Sequence, residues 1–286
     1  MRLHLLPLAL ERARQPITIL RQTRARALGA VLGPGPRRQQ VVMFHGGRSG
    51  STVVSDLLAQ QPDVYWEGEI YEWALRAWER RHGRTAARDD HAFDAVAELD
   101  RCRRRVRSPI YGFEAKPFQI ELGGWKLADY VDALRARGVD RFIVLRRRNL
   151  LRAIVSSAIA DQTRQYHRAR GQKPQLRPIH LDPERVRIHR TVRPLLDFLQ
   201  RLEAPFQELT ERLPREQTLC LWYEDHVAAD PRVGYRAACE FLNLVPREGR
   251  IRFGRTNPFP LSEILSNFAE VQAALAGTPY EGMLES

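Results

Sequence analysis

The stretch VVMFHGGRSGSTVVSDLL, residues 41–58, decides the fold of this chain. Its opening apolar run has the length and composition of a buried strand in a parallel sheet. A glycine-rich turn follows, and the apolar residues after it are spaced as on one face of a helix. Strand, tight turn and helix in this order predict the first unit of a wound α/β fold.

The turn between this strand and this helix predicts an anion-binding site. Its glycines let the backbone bend back sharply, so that successive N–H groups point toward one centre. The N-terminus of the helix adds a partial positive charge, and Arg48 adds a full one. A glycine-rich turn without a ligand is the alternative, but it leaves the arginine unexplained. The residues expected to hold the anion are Gly46, Gly47, Arg48, Ser49, Gly50, Ser51 and Thr52.

The same turn differs from the phosphate-binding loop of nucleoside triphosphatases. That loop ends in Gly-Lys-Ser or Gly-Lys-Thr, and its lysine meets the β- and γ-phosphates. Counted from Gly46, this chain has Ser51 and Thr52 where the glycine and the lysine would stand. The departure counts against a P-loop kinase of small molecules, which stays open as an alternative.

A second anion site is predicted by the stretch FIVLRRRNLLRAIVSS, residues 142–157. An apolar strand ends here in three arginines, and a helix begins at Asn149 or Leu150. Arg148 and Ser156 are eight residues apart, close to two helical turns, so both side chains can reach one anion. Three arginines at a strand end would repel the Mg²⁺ that a kinase holds there. A cationic strand end that faces solvent is the alternative.

Together the two motifs resemble those of the sulfotransferases that use 3′-phosphoadenosine-5′-phosphosulfate (PAPS). The turn is similar to the family's 5′-phosphosulfate loop, in the arginine-containing form of its bacterial and carbohydrate branches. Arg148, Asn149 and Ser156 are similar to its 3′-phosphate motif, and the resemblance covers about residues 40–280 as an ordered series of motifs. It implies that PAPS is the sulfuryl donor, that Arg148 and Ser156 hold its 3′-phosphate, and that no metal takes part.

Weaker motifs extend this resemblance toward the C-terminus. Tyr223 matches a family tyrosine that lies against the adenine-nucleotide end of the donor. The pair Glu224-Asp225 after it is either a metal-binding pair or a set of carboxylates that cap a loop and a helix. Arg255 and Thr256, with Arg252 before them, stand where the family has a basic loop over the 3′-phosphate.

Two further segments supply candidate catalytic residues through the resemblance. The carbohydrate and bacterial branches place a glutamate base in a segment that matches Glu-Gly-Glu here, so Glu69 is the expected base and Glu67 the second choice. Lys116 matches a strand-end lysine that meets the transferring sulfuryl group, assisted by Arg48. The cytosolic branch has a base histidine two residues after that lysine. Phe118 stands there in this chain, which favours the glutamate.

The remaining pattern predicts a single α/β domain with a P-loop-type, wound parallel β-sheet flanked by helices, and further helices as decoration. Residues 1–38 form a basic, helical N-terminal segment, and residues 39–286 form the sulfotransferase-like α/β domain. The N-terminal segment either docks on the domain or lies on a membrane surface. Long helices are predicted over residues 183–212 and 261–275, and a polar loop over residues 161–181.

Charge is the most unusual bulk property of the chain. Its 46 lysines and arginines exceed its 34 acidic residues, for a formal net charge of +12. This excess indicates either a solvated surface or a preference for polyanions. A non-catalytic, Arg-rich nucleotide- or nucleic-acid-binding protein is therefore a further alternative. No recognition helix or aromatic platform accompanies the charge, so no nucleic acid partner is expected.

The remaining expectations concern location and acceptor. No apolar run is long enough for a transmembrane helix, and Cys220 and Cys239 are interpreted as reduced core residues of a cytoplasmic protein. The basic N-terminal segment adds the option of a peripheral membrane contact. The acceptor is expected to be a hydroxyl-bearing sugar, glycolipid or peptide. The residues expected on the acceptor side are Arg164, Tyr166, His167 and Arg170.

Overall fold

The computed structural model of this chain describes residues 16–82, 92–188 and 191–285. Its strands are β1 (Gln39–His45), β2 (Val64–Glu69), β3 (Ile110–Ala115), β4 (Arg141–Arg146), β5 (Arg168–Ala169), β6 (Val186–Ile188), β7 (Thr191–Arg193), β8 (Thr218–Trp222) and β9 (Phe253–Gly254). Five of them form one parallel sheet in the order β2-β3-β1-β4-β8. Because β1 is central, the turn after it opens at the carboxyl edge, where open α/β sheets bind ligands.

Helices connect the parallel strands, as crossovers between parallel neighbours require. Two pairs of short strands, β5 with β9 and β6 with β7, are antiparallel and lie outside the main sheet. The helices are α1 (Pro16–Leu32), α2 (Ser51–Leu58), α3 (Ile70–His82), α4 (Ala95–Arg103), α5 (Pro117–Leu122), α6 (Leu127–Ala136), α7 (Leu150–Thr163), α8 (Leu195–Arg212), α9 (Tyr223–His226), α10 (Arg232–Phe241), α11 (Leu261–Ile264) and α12 (Phe268–Leu275).

The main sheet is buried on both faces. Side chains alternate along β1, and Val42 and Phe44 lie in one apolar cluster with Tyr130 of α6. Val41 and Met43 point the other way, into a second cluster with residues of α2 and α10. Burial on two faces explains why the strands are continuous apolar runs in the sequence. The predicted wound α/β fold is confirmed.

The predicted helix over residues 183–212 is wrong in its first part. This part contains the antiparallel pair β6 and β7, and α8 begins only after Pro194. β-Branched residues are frequent in the two short strands and favour an extended backbone. Pro194 has a ψ of 148° and occupies the N-cap position of α8, so the helix does not continue backward through it.

The predicted helix over residues 261–275 is interrupted, and α11 and α12 take its place. Leu265 between them is extended, with φ −88° and ψ 109°. The Ile179 N–H donates to the Ile264 carbonyl at 2.8 Å, and the Ser266 N–H donates to the Ile179 carbonyl at 2.9 Å. This backbone bridge anchors the long connection after α7, which was predicted as a polar loop and contains only the two-residue strand β5 before Ile179.

The helix α1 docks against the edge strand β2. Gln22 Nε2 donates to the Val64 carbonyl at 3.5 Å, and Arg21 Nη1 donates to the Gln60 carbonyl at 3.1 Å. Residues 1–15 of the predicted N-terminal segment lie outside the described residues, and the division of the chain at residue 38 stays a prediction. Among the described residues, no helix is both long and apolar enough to cross a bilayer.

The cysteines follow the prediction only in part. Cys239 is buried in α10, as expected. Cys220 is exposed, because β8 is an edge strand of the sheet. The interpretation of Cys220 as a core residue is therefore wrong, although both cysteines are free thiols.

Candidate active site

The turn after β1 has the conformation of an anion cradle. Gly47, Arg48 and Gly50 have φ values of 81°, 52° and 80°, in the left-handed region. A Cβ atom on Gly50 would come within 2.6 Å of Val227, so this position needs glycine for lack of space as well. Gly50 is the N-cap of α2 and brings no side-chain cap. The first amides of α2, which have no acceptor within the helix, are therefore available to an anion.

Ser49 adds a polar group that the protein itself does not satisfy. Its side chain is buried, and its hydroxyl has no hydrogen-bond partner among the described residues. Ser51 and Thr52 follow in the first turn of α2 and line the large cleft that opens at this turn.

Arg48 is the central cation of this cleft. Its Nε donates to Ser156 Oγ at 2.8 Å, its Nη1 to the Tyr166 carbonyl at 2.7 Å, and its Nη2 to Thr256 Oγ1 at 2.8 Å. All three acceptors are uncharged. Burial and the charge of Arg147 lower the pKa of Arg48 to about 10, so the guanidinium stays charged at neutral pH. A partly buried charge whose hydrogen-bond acceptors are all neutral favours an anionic ligand.

Arg147 is the second cation, one residue before the predicted one. Its guanidinium lies 4.4 Å from the centroid of the Tyr223 ring, and its Nη1 donates to the Arg48 carbonyl at 2.8 Å. Burial lowers the pKa of Arg147, and the charges of Arg152 and Arg255 act in the same direction. These four residues, Arg48, Arg147, Arg152 and Arg255, form the arginine cluster. An anion bound among them would relieve their mutual repulsion.

Arg148 and Ser156 are expected to share an anion, but the structure pairs the Arg148 side chain with a carboxylate instead. Arg148 Nη1 and Nη2 bind the two carboxylate oxygens of Asp225, each at 2.6 Å, and the Arg148 side chain is 52% exposed. Glu224 fixes this arrangement, because its carboxylate accepts the backbone N–H groups of Arg148 at 3.0 Å and of Asn149 at 3.2 Å. Of the two interpretations of Glu224 and Asp225, the structure supports capping and pairing carboxylates.

Hydroxyls from two distant segments complete this side of the cleft. Ser156 of α7 and Thr256 of the loop after β9 both accept a hydrogen bond from the central arginine. Arg255 is exposed at the rim of the same cleft. Arg252 does not contribute, because it is buried in an ion pair with Asp56, with 2.8 Å between Nε and Oδ2. The expectation that Arg252 lies over the 3′-phosphate is therefore wrong, and Arg252 has a structural role.

Glu69 and Lys116 meet next to the cradle. Lys116 Nζ lies 2.5 Å from Glu69 Oε2, and the two side chains are 15% and 30% exposed, lysine first. Burial alone would lower the pKa of Lys116, but Glu69 and Glu72 raise it above its usual value, so the ammonium stays charged. A Cβ on Gly47 would lie 3.9 Å from Lys116 Cε, which places the lysine beside the turn.

Glu67, the second choice as base, turns toward α1 instead. Arg26 Nη2 lies 2.7 Å from Glu67 Oε1, and the Tyr111 hydroxyl donates to Glu67 Oε2 at 3.5 Å. The strand β2 shifts register just before Glu69, and Gly68 there has a φ of 83°. Such a bulge changes the direction of the following side chain. The structure therefore assigns Glu67 to the docking of α1 and leaves Glu69 in the cleft.

A buried pair, His45 and Glu114, supports the turn from below. The Gly47 N–H donates to His45 Nδ1 at 3.2 Å, and His45 Nε2 lies 3.2 Å from Glu114 Oε2. Trp66 Nε1 also donates to this carboxylate, at 3.2 Å. Burial acts to raise the pKa of Glu114, but these hydrogen bonds, with that of His45 first, hold it at about 2.

His45, Glu69 and Glu114 could together hold a cation, because their donor atoms lie within 4.8 Å of one another. The Lys116 ammonium already supplies a positive charge to Glu69 at this point. The protein's own lysine therefore neutralises the site, and the nearby arginine cluster opposes a second cation.

Sequence reasoning missed Arg147 and Arg152 as residues of the site. Arg152 stands four residues before Ser156 on α7, and this spacing puts both on one helix face, a signal that was available. Its Nη1 donates to the Phe259 carbonyl at 2.8 Å, which holds it at the cleft. For Arg147 the sequence carried no comparable signal, because three arginines follow one another.

The acceptor-side residues line the same continuous cleft, which has a volume of about 2910 Å³. Tyr166 takes part through its carbonyl, and its hydroxyl donates to Asp161 at 2.9 Å. Burial first, and then the charge of Arg48, lower the pKa of His167 to about 4, so its imidazole is neutral in the cleft. Arg164 and Arg170 also line this side.

Comparison with known proteins gives matches among solved structures only. No protein-family model matches the chain, and no curated protein matches it. A sulfotransferase from Alicyclobacillus acidocaldarius is similar at 13% identity and a TM-score of 0.46, over 87% of this chain and 95% of that one. A sulfotransferase domain from the curacin biosynthetic pathway is similar at 14% identity and a TM-score of 0.37, over 75% and 80%. At these values, function has to be inferred from the residues of the site itself.

Proposed function

We propose that this chain is a sulfotransferase that takes the sulfuryl group of PAPS and delivers it to a hydroxyl of a sugar, glycolipid or other small acceptor. One observation carries the proposal. The Arg48 guanidinium links the glycine-rich turn to Ser156 and Thr256, so that both anion-binding regions open into one cationic cleft. A nucleotide with anionic groups at its 5′ and 3′ positions matches two such regions.

The residues of the cleft fit this donor. The Arg48 guanidinium is partly buried and has only neutral hydrogen-bond acceptors, which favours an anionic ligand. The turn and the first amides of α2 would hold the 5′-phosphosulfate. The arginine cluster and Ser156 would hold the 3′-phosphate, with Tyr223 against the nucleotide. Bound PAPS supplies an activated sulfuryl group whose leaving group is a phosphate.

Glu69 acts in this proposal as the general base. Lys116 engages its Oε2, and no hydrogen bond to its Oε1 is formed by the described residues. Glu69 Oε1 can therefore accept the proton of the acceptor hydroxyl. Lys116 holds the Glu69 carboxylate in place and puts positive charge where negative charge develops during transfer.

The wall beyond Lys116 supports an acceptor with a ring. Phe118 is 39% exposed, and the centroid of its ring lies 6.0 Å from Lys116 Nζ. Trp73, Trp78 and Trp125 line the same cleft. Aromatic faces beside a few polar groups suit a sugar ring, whose C–H face packs on an aromatic ring while its hydroxyls form hydrogen bonds.

The first test is thermal unfolding of the whole chain with 3′-phosphoadenosine-5′-phosphate, AMP, ADP or ATP, with and without Mg²⁺. A ligand at about 100 times its Kd stabilises by ~2.7 kcal/mol, a shift of several degrees. We expect the bisphosphate to stabilise most, AMP much less, and Mg²⁺ to make no difference. Stabilisation by Mg-ATP alone would point to the kinase, and stabilisation by no nucleotide would reject a nucleotide-dependent transferase. A positive result leads to a screen of sugars, glycolipid headgroups and peptides with labelled PAPS.

A further inference from the structure

The helix α1 turns few apolar side chains toward the domain. Thr18 and Gln22 on this side are polar and only 0% and 7% exposed, and Ala25 packs against the apolar core. Gly29, one turn from its end, is buried as well. A helix docked on a soluble domain normally turns its apolar stripe inward and its polar face to water. Here the large apolar residues are found on the other side.

The outer face of α1 consists of Ile17, Leu20, Arg24, Leu28 and Val31. Steps of three and four residues place these side chains on one helix face. Leu20 is 68% exposed and Val31 is 82% exposed, and Ile17 is 52% exposed. Four large apolar side chains in one stripe, turned to solvent along the whole helix, indicate a surface that something else covers.

Specific contacts prevent α1 from rotating to bury this stripe. Arg26 forms an ion pair with Glu67 at 2.7 Å on the inner side. A Cβ on Gly29 would lie 2.6 Å from the Arg105 carbonyl, so only glycine fits where the helix meets this turn. The Arg107 N–H donates to the Ala25 carbonyl at 3.0 Å. The orientation is therefore set by polar contacts, and the outer face stays outward.

The charge around the outer face selects the partner. The helix PITILRQTRARALGAVL contains no Asp or Glu, and Arg24 stands exposed within the stripe. Arg104 and Arg105 are exposed on the adjoining turn. A second copy of the same face would set arginine against arginine with no carboxylate between them. An anionic lipid surface offers both the apolar layer and the phosphates that arginine binds.

We propose that the outer face of α1 docks the protein on a lipid bilayer that contains anionic phospholipids. The apolar side chains enter the boundary between headgroups and acyl chains, and Arg24 extends to the phosphates. The fifteen residues before Pro16 also combine leucines with arginines in the sequence, in MRLHLLPLALERARQ. This inference does not depend on the proposed sulfuryl transfer.

The test is co-sedimentation of the full chain with vesicles of phosphatidylcholine alone and of phosphatidylcholine mixed with phosphatidylglycerol. We expect binding to the mixed vesicles only, and weaker binding as salt is added. Leu20→Asp and Val31→Asp should each weaken it about tenfold or more, because each removes one large apolar side chain from the bilayer. Arg24→Ala should weaken it about fivefold. The matched control is Leu176→Asp, at a site that is 42% exposed in the connection after α7, which should change nothing.

Several results would overturn the proposal. Binding that is equal for both vesicle types, or that survives Leu20→Asp, would show that another surface carries it. If the full chain binds neither type of vesicle, a lipid partner is rejected. This holds whether or not light scattering shows dimers that Leu20→Asp dissociates. The substituted residues are exposed, so the melting temperature should stay unchanged, and stabilisation by the bisphosphate should persist in every variant.

Discussion

Arg48 and Ser156 are 108 residues apart in the chain, yet Arg48 Nε donates a 2.8 Å hydrogen bond to the Ser156 hydroxyl. The turn after β1 and the helix α7 therefore share one polar group at the centre of the cleft. Both groups lie largely out of water, so each fixes the direction of the other. A ligand that binds one of these elements necessarily acts on the other.

Replacing Arg48 with alanine should weaken binding of 3′-phosphoadenosine-5′-phosphate by about 1.5–3 kcal/mol, the usual worth of hydrogen bonds to a charged group. Arg48→Lys should restore only part of this, because an ammonium cannot reach Ser156, Tyr166 and Thr256 as the guanidinium fork does. Titration calorimetry gives both affinities. Unchanged affinity in Arg48→Ala would show that Arg48 does not bind the bisphosphate.

Neighbouring arginines at the end of β4 provide a matched pair of variants. Arg147→Ala should weaken bisphosphate binding about tenfold or more, because Arg147 is buried in the cleft and lies over Tyr223. Arg148→Ala should leave binding unchanged, because Arg148 is exposed and paired with Asp225. The opposite ranking in calorimetry would restore Arg148 as the phosphate ligand and exclude Arg147.

Glu69→Gln should lower turnover by a factor of about 10²–10⁴, the usual contribution of a general base, without weakening bisphosphate binding. Glu67→Gln is the control, because Glu67 is bound to Arg26 on the side of α1. It should keep its turnover. The measurement is kcat with an acceptor found in the screen, beside the calorimetric Kd.

A different pattern of turnover would identify a different base. His167 is a neutral imidazole in the same cleft and is able to take a proton. Full turnover in Glu69→Gln together with its loss in His167→Ala would transfer the role of base to the histidine. Equal loss of turnover in Glu69→Gln and Glu67→Gln, with the fold intact, would show that the positions of the two carboxylates do not identify the base.

The pKa of Glu114 predicts how stability depends on pH. Its folded value is about 2, below the usual 4.5, so the carboxylate stabilises the folded state above about pH 4.5 and loses this contribution as pH falls toward 2. Urea unfolding between these pH values should show that decline, and Glu114→Gln should make it shallower. Glu121→Gln, at an exposed position, is the control and should follow the wild type. Parallel curves for all three proteins would contradict the depressed pKa.

The main sheet and the turn could be predicted from the sequence, because their signals are local. A strand buried on both faces is a continuous apolar run, and β1, β3 and β4 are runs of this kind. A turn whose residues have left-handed φ values needs glycine, and Gly47 and Gly50 supply it. Neither feature depends on residues far away in the chain.

At the second anion site the exact membership depended on distant contacts and was missed. Arg147 rather than Arg148 faces the cleft because Glu224 and Asp225 hold the backbone and side chain of Arg148, more than seventy residues away. Glu69, the expected base, lies beside Lys116, and Glu67 pairs with Arg26, because β2 bulges at Gly68. Simple alternation along a strand would have placed both carboxylates on one face.

The way in which α1 docks on the domain could not be predicted from the sequence either. Its sequence alone left docking on the domain and contact with a membrane as alternatives. In the structure the helix docks through Gln22, Arg26 and Gly29, which gives no apolar pattern to detect. Large apolar side chains of the helix are exposed on the opposite side, where we propose the membrane contact.

The carboxylate of Glu224 occupies the backbone amides at the start of α7, so in the proposed complex the nucleotide is held there by side chains. At the turn after β1, the proposed contacts come from main-chain amides together with the Arg48 side chain. Substitutions of Arg147, Arg152 or Arg255 would therefore change the preferred nucleotide without touching the backbone conformation of the glycine turn.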